Sequence, residues 1–297
     1  MPANAHDLDA LRRQLSALDR GMGPVAHAVA PLGYAPIDAA LGGGLARGAL
    51  HEVFAATADA AAATGFALAL ALRAAGERPI LWVRQDFSGV ETGELYAPGL
   101  AELGLGPGRL ILVRVRDGPG VLRAAEEAAR CPSLGAVLIE PWGAPRALDL
   151  TATRRLALAA EVSGVPLIML RMAAAPAPSA ATTRWEVRAA SSSPLEANAP
   201  GHPAFAITLA RQKAGAGDKT WTVEWDRDRR EFRSLASAGA TLSGGVVSVP
   251  ADGPLEAPNP EMPNPEMPRP GAPRPGAPRP GAPRPGAPRD GARRRAG

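Results

Sequence analysis

The residue types best placed for chemistry lie between Leu41 and Asp86. Gly42, Gly43 and Gly44 cluster before Leu45, and Gly48 follows; glycines there permit positive φ in tight turns. Ala49 to Ala55 is a short apolar run that reads as a buried strand, and a helical pattern follows it. A strand-to-helix connection is where backbone N–H groups cradle phosphate. That chemistry needs G-x-x-x-x-G-K-[ST]: glycines for close approach, a Lys for the β/γ-phosphates and a hydroxyl for Mg²⁺. The residues at those positions are Ala55, Ala56, Thr57, Ala58, Asp59, Ala60, Ala61 and Ala62. They supply no Gly, no Lys and no hydroxyl at the required place, and Asp59 sets a carboxylate where a triphosphate would sit. Glu140 closes the apolar run Ala136–Ile139, but Pro141, Trp142 and Gly143 follow at once and no phosphate loop accompanies it. His51-Glu52 lacks the second His of a zinc-binding helix, and Ser88-Gly89 lacks a nucleophile elbow. The four His (6, 27, 51, 202) are scattered, and Cys131 stands alone, which excludes an internal disulfide or a multi-Cys zinc site. The expectation is a chain that is not an enzyme, with no catalytic residue, cofactor or metal.

The elements that hold these positions follow from pattern. Ala58 to Ala75 is dominated by Ala and Leu and has one β-branched residue, Thr64, so a helix is expected. Gly76 stops it, Pro79 follows, and Ile80–Val83 is the next buried strand. Strand, helix and strand at this spacing make a βαβ unit and hence a parallel sheet. A loop from Phe87 leads to a helix at Pro98–Leu103. Then come a strand at Leu110–Val115, a helix at Pro119–Arg130, the strand ending at Glu140, a helix at Leu148–Ser163 capped by Gly164, and a strand at Pro166–Leu170. Farther on, Trp185–Ala189, Phe205–Leu209 and Trp221–Trp225 alternate apolar and polar residues and read as antiparallel strands added to the sheet. Arg211, Gln212, Lys213 and Lys219 cluster near one hairpin tip, and Asp226, Arg227, Asp228, Arg229 and Arg230 form the next turn. Each cluster reads either as a solvated hairpin end or as a partner or nucleic-acid surface. Trp221 and Trp225 are core residues if a helix covers their face and interface anchors if none does. Candidate partner-binding residues are therefore Arg211, Gln212, Lys213, Trp221, Trp225, Asp226, Arg229 and Arg230.

The ends have another character. Leu8, Leu11, Leu15 and Leu18 form one stripe of a helix over Asp7–Asp19, followed by a Gly/Ala/Pro linker at Gly21–Pro31. From about Pro250 the chain repeats NPEMP and then GAPRP, a composition that blocks helix and sheet and buries almost nothing, so a disordered tail is expected. The division expected is residues 1–30, 31–250 and 251–297. From Asn259 onward eight Arg stand against three acids, a net of +5 against +4 for the whole chain, so the body carries −1 and is near neutral. A near-neutral body argues against a broad nucleic-acid face, while the Arg spacing in the tail implies weak, salt-sensitive contact with DNA or acidic partners. No apolar run of eighteen uncharged residues and no signal peptide are read, so the cytoplasm is the expected location and no membrane is involved.

The order L-G-G-G-L-x-x-G, strand, connection, helix resembles the RecA family, with Leu41–Leu45, Gly48 and the strand ending at Phe54 in register. In that family the Glu140 position holds Mg²⁺ and an acid near Gln85 or Asp86 activates water. Whole segments, among them LWVRQDFSGVETGELYAPGLAELGL, RLILVRVRDGPGVLRAAEEAARCPSLGAVLIEPWG, LDLTATRRLALAAEVSGVPLIMLR and TWTVEWDRDRREFR, further resemble the ImuA family of the bacterial mutasome. The resemblance implies an α/β, RecA-like core with a mostly parallel sheet flanked by helices. It also implies a part in DNA-damage-induced mutagenesis and translesion synthesis. The partners it implies are an ImuB-like, Y-family polymerase-related protein and an error-prone replicative-type DNA polymerase, with contact expected through Thr208–Arg233. Two alternatives are a DNA-binding recombinase-like module and a cell-division inhibitor of the SulA type. The first would use the stretch Ala173–Ala181, which supplies neither cations nor aromatics.

Overall fold

The computed structural model describes residues 28–213 and 218–235. The expected N-terminal helix, most of its linker and the repeat tail lie outside the described residues. The two-residue strands β1 (Val29–Ala30) and β2 (Leu45–Ala46) pair as a small antiparallel ribbon around α1 (Ala35–Ala40). Gly44 makes that ribbon fit: its φ is +143° and a Cβ there would meet the Ala30 carbonyl oxygen at 2.5 Å.

The main sheet has nine strands. Those not yet introduced are β3 (Leu50–Ala55), β4 (Ile80–Gln85), β5 (Leu110–Val115), β6 (Ala136–Glu140), β7 (Leu167–Met172), β8 (Thr183–Ala190), β9 (Ala204–Gln212), β10 (Lys219–Asp226) and β11 (Glu231–Ser234). Their spatial order is β11-β10-β9-β8-β3-β7-β6-β4-β5. Strands β3 to β8 are parallel, and β9, β10 and β11 add on antiparallel. The helices are α2 (Ala60–Ala75), α3 (Asp86–Thr92), α4 (Ala97–Glu102), α5 (Gly118–Ala129) and α6 (Leu150–Ser163).

Side chains alternate across each strand, so each strand feeds two cores. On one face Val53, Leu138, Ile168, Leu170 and Trp185 pack with α2. On the other Leu50, Ile139, Leu167 and Met169 pack with Val121 and Ala125 of α5 and Leu156 and Ala160 of α6. Twelve of the 16 residues of α2 are buried, because the sheet covers one side and Leu32, Ile37, Leu45 and Leu100 cover the other. By length and composition Thr57–Ala75 would suffice to cross a bilayer, but most of it is buried in the core, which accounts for its apolar composition. Its C-terminal end lies so close to the start of β6 that a Cβ on Gly135 would stand 2.5 Å from that of Ala75.

Two sequence expectations change. Phe87 onward, read as loop, is the short helix α3, closed by Thr92 Oγ1 donating to the Ser88 carbonyl at 2.8 Å. Strand β8, read as antiparallel, pairs parallel with β3, His51 opposite Thr183 and Val53 opposite Trp185. The chain must therefore return from the end of β7 to the start of β8 through residues 173–182. Parallel strands need such a crossover, and here it is an extended Ala/Pro/Ser segment in place of a helix. Its second half is packed: Ser179 and Ala181 are buried, and Ala180 N donates to Thr153 Oγ1 of α6 at 3.2 Å.

Candidate functional site

The strand-to-helix connection that a nucleotide enzyme uses for phosphate is here the four residues 56–59, three of them closed into a 3-10 turn. Strand β3 ends at Ala55, a 3-10 turn begins at Thr57, and only Ala56 lies between. Asp59, the last residue of that turn, accepts a hydrogen bond from Ala189 N of β8 at 2.9 Å and so ties the start of α2 to the sheet. Outside the carboxyl ends of β3 and β7 lies a crevice of about 450 Å³, lined among others by Phe54, Ala55, Asp59, Pro176, Glu186 and Arg188. Its two carboxylates face one guanidinium, and no Lys or hydroxyl projects into it. Two carboxylates against one guanidinium give the lining a net negative charge, which disfavours phosphate.

The acids that would complete such a site are committed elsewhere. Glu140 is 2% exposed; its carboxylate accepts from Trp82 Nε1 at 3.0 Å and from Arg84 Nε at 3.0 and 3.1 Å. Burial pushes the Glu140 carboxyl above its ordinary pKa, against the opposing pull of Arg84 and Trp82. Arg84 itself donates on to Thr92 Oγ1 and the Gly93 carbonyl, which fastens α3. Gln85 Oε1 accepts from Trp142 N at 3.0 Å, and Asp86 pairs with Arg114 at 3.2 Å. These side chains brace the sheet end.

A second buried network carries more charge. Glu52 is fully buried in the middle of β3. It accepts from Arg171 of β7 at 3.3 Å, from Arg184 of β8 at 2.9 Å and from Ser179 Oγ of the crossover at 2.8 Å. Both guanidiniums also lie over the Phe54 ring, 5.3 and 5.2 Å from its centroid. One carboxylate thus joins three strands and the crossover. The neighbouring His51 points to the other face: Trp185 Nε1 donates to Thr183 Oγ1 at 2.9 Å, Thr183 Oγ1 lies 2.8 Å from His51 Nδ1, and His51 Nε2 lies 2.8 Å from the Ala46 carbonyl. That chain fits a neutral ring with its proton on Nε2, and burial lowers the His51 pKa to about 4. Sequence reasoning missed both networks. The available signal was a single charged residue inside an otherwise apolar strand: Glu52 in LHEVFA, Arg84 in ILWVRQ and Arg171 in LIMLRM.

The hairpin residues do not form one patch. Arg211, Gln212, Lys213 and Lys219 stand at one end of β9 and β10, and Asp226, Arg229 and Arg230 at the other, separated along β10 by roughly 23 Å. Arg211 and Lys213 are exposed beside Arg154 and Leu158 of α6, around a groove of about 410 Å³, while Gln212 is half-buried. Arg211 Nη1 donates to the Ser179 carbonyl at 3.2 Å. At the far end, Arg230 reaches Glu77 at 3.4 Å and its carbonyl accepts from Arg73 Nη1 at 3.2 Å, tying the turn to α2. Arg229 is exposed.

The two tryptophans differ in burial. Trp225 has no exposed surface; its ring meets Phe232 at 5.1 Å and its Nε1 donates to the Leu103 carbonyl at 3.0 Å. Trp221 is half-buried against Trp185 at 6.4 Å. Phe66 of α2 centres the group, 5.5 Å from Trp185, 6.0 Å from Phe205 and 5.4 Å from Phe232. As an anchor for a partner, Trp225 is therefore corrected: α2 covers its face, and its side chain offers nothing to another chain. Asp226 is buried as well. Its Oδ1 accepts from Asp228 N and Arg229 N at 3.0 Å each, and its Oδ2 from Arg233 at 3.2 Å. The Arg229 N–H leads in holding its carboxyl below the ordinary range. Asp226, Asp228 and His202 gather within 4.8 Å, but His202 Nδ1 accepts from Arg227 N and both Asp226 oxygens are engaged, so the group is a hydrogen-bonded turn.

No family model matches the sequence. The chain is 33% identical over 192 residues to the protein named ImuA of Caulobacter vibrioides, in strain NA1000 / CB15N and equally in strain ATCC 19089 / CIP 103742 / CB 15. The match spans 59% of this chain and 74% of each relative. Among solved structures, the crystal structure of the RadB recombinase superposes with a TM-score of 0.50 at 16% identity, covering 70% of this chain and all of that one. At that identity the likeness concerns the fold, which is RecA-like.

Proposed function

The chain belongs to the ImuA family, and on that premise we propose that it is a non-catalytic, RecA-like accessory protein of a mutasome engaged in translesion synthesis after DNA damage. The observation that carries the non-catalytic part is the turn between β3 and α2, which supplies no Gly and no Lys. A phosphate cradle needs a loop whose successive N–H groups converge on one anion. Here Asp59 N donates to the Ala56 carbonyl and Ala60 N to the Thr57 carbonyl, and the Asp59 carboxylate is bound to β8.

A binding role then rests on surface. The basic end of the β9–β10 hairpin, Arg211 and Lys213 beside Arg154, supports contact with an acidic face of an ImuB-like, polymerase-related partner, which in turn brings an error-prone polymerase. The opposite end, Arg229 and Arg230, is already tied to Glu77, Arg73 and Glu231 and serves the fold first. DNA contact by residues 173–178 has no support, because that stretch carries no cation or aromatic.

The test is co-purification of the full chain with the ImuB-like protein encoded in the same organism, with ATP turnover assayed on the same sample. A stable complex without turnover supports the reading. Turnover abolished by Glu140→Gln, or no complex at micromolar concentration, sinks it. R211E/K213E is expected to weaken the complex at least tenfold, and R229E/R230E to weaken it much less.

A further inference from the structure

The sheet ends in two edges of opposite quality. Strand β11 is four residues long, Glu231–Ser234; its Phe232 is buried and its Arg233 reaches back to Glu224 and Asp226. Short length and charge are the usual protections of an edge. Strand β5 is longer and carries one charge. It is six residues long, reads LILVRV, and pairs with β4 on its inner side, while among the described residues nothing pairs with its outer side.

Ile111 and Leu112 are 46% and 42% exposed. Adjacent strand residues point to opposite faces, so apolar surface is bare on both sides of this edge. One covering helix would hide only one of them. The strand's single charge is neutralised locally: Arg114 pairs with Asp86 at 3.2 Å and Glu94 at 3.0 Å. An apolar row with free backbone donors and acceptors, open on both faces, fits one kind of occupant, an added strand.

We propose that this occupant is β5 of a second copy, paired antiparallel across a two-fold axis. The strand is self-complementary. With Leu112 opposite Leu112 of the second copy, Ile111 meets Val113 and Arg114 meets Leu110, so no like charges face each other. The pairing is isologous and uses both β5 edges. It leaves the short, charged β11 at each outer end, and the assembly closes at two chains. The inference is independent of the function proposed above.

The experiment is light scattering on the full chain over a range of concentrations, run beside I111K/L112K. The wild type is expected at twice the 30.5 kDa chain mass, and the variant at the single mass with an unchanged melting curve. Leu158→Lys on α6 alters another exposed apolar site and should leave the dimer intact. In a Cys131→Ser background, L112C should give a disulfide-linked dimer under mild oxidation, since facing strand residues stand about 5 Å apart. A monomer at every concentration, a dimer that survives I111K/L112K, no cross-link through L112C, or a partner protein that pairs with this edge in place of a second copy would each overturn the proposal.

Discussion

Glu52 is the residue on which the centre of the sheet depends. Truncating it leaves Arg171 and Arg184 buried beside each other over one aromatic ring with no anion. Breaking a buried pair by removing one partner costs about 3–5 kcal/mol, so Glu52→Ala is expected to lose stability in that range by chemical denaturation. Glu52→Gln keeps the acceptor oxygen and should lose less. His51 gives a signature in pH. Its folded pKa of about 4 lies below the unfolded value of 6.5, so the unfolded chain binds the proton first. Its contribution is fully present above pH 6.5 and is lost as the pH falls toward 4, by about 3 kcal/mol in all. Denaturation midpoints measured at pH 7.5, 5.5 and 4 should decline accordingly, and His51→Gln should flatten that part of the curve.

At the scale of elements, the aromatic group around Phe66 joins α2 to the antiparallel extension. Trp225→Ala should cost about 3–5 kcal/mol, as large-to-small changes in a packed core do. Arg230→Ala removes a half-exposed ion pair and should cost under about 1 kcal/mol. Thermal melting separates the two, and a Trp225→Ala protein melting like wild type would contradict the packing described. The strands from β3 to β7 could be read from sequence because buried parallel strands are continuous apolar runs between Gly and Pro stops. Helix α3 escaped because Ser88, Gly89, Val90 and Thr92 are poor helix formers; it is held by Arg84 and Thr92, which no local pattern announces. The parallel sense of β8 escaped for a related reason. Its crossover has no helical period, and only the pairing of Glu52 with Arg184 and of His51 with Thr183 reveals its direction. Among the candidate contact residues, the alternation of Trp221, Val223 and Trp225 was legible but their burial was not: Trp225 belongs to the core, Trp221 is half-buried at its margin, and the arginines divide between two ends.

For the molecule as a whole, the RecA-like frame carries at the carboxyl ends of β3 and β7 a crevice lined largely by alanines, with two carboxylates and one guanidinium. Adding Mg-ATP at millimolar concentration should leave the melting temperature within error, because a ligand stabilises only the state that binds it. A rise of several degrees would show a nucleotide site. Glu140 braces the carboxyl end of β6, while Glu52 and His51 tie the middle and the amino end of β3 to its neighbours by paired or neutral groups.

The short, turn-closed link from β3 to α2 bears on engineering. A lost Lys or Gly can be restored by exchanging letters, and an enzyme disabled that way stays one or two substitutions from revival. Here Ala56 and the turn Thr57–Asp59 carry the chain from β3 into α2, so writing the eight-residue phosphate signature over Ala55–Ala62 would have to open that turn into a loop as well as exchange its letters. Opening the turn would also free Asp59 from β8 and loosen the tie between the start of α2 and the sheet.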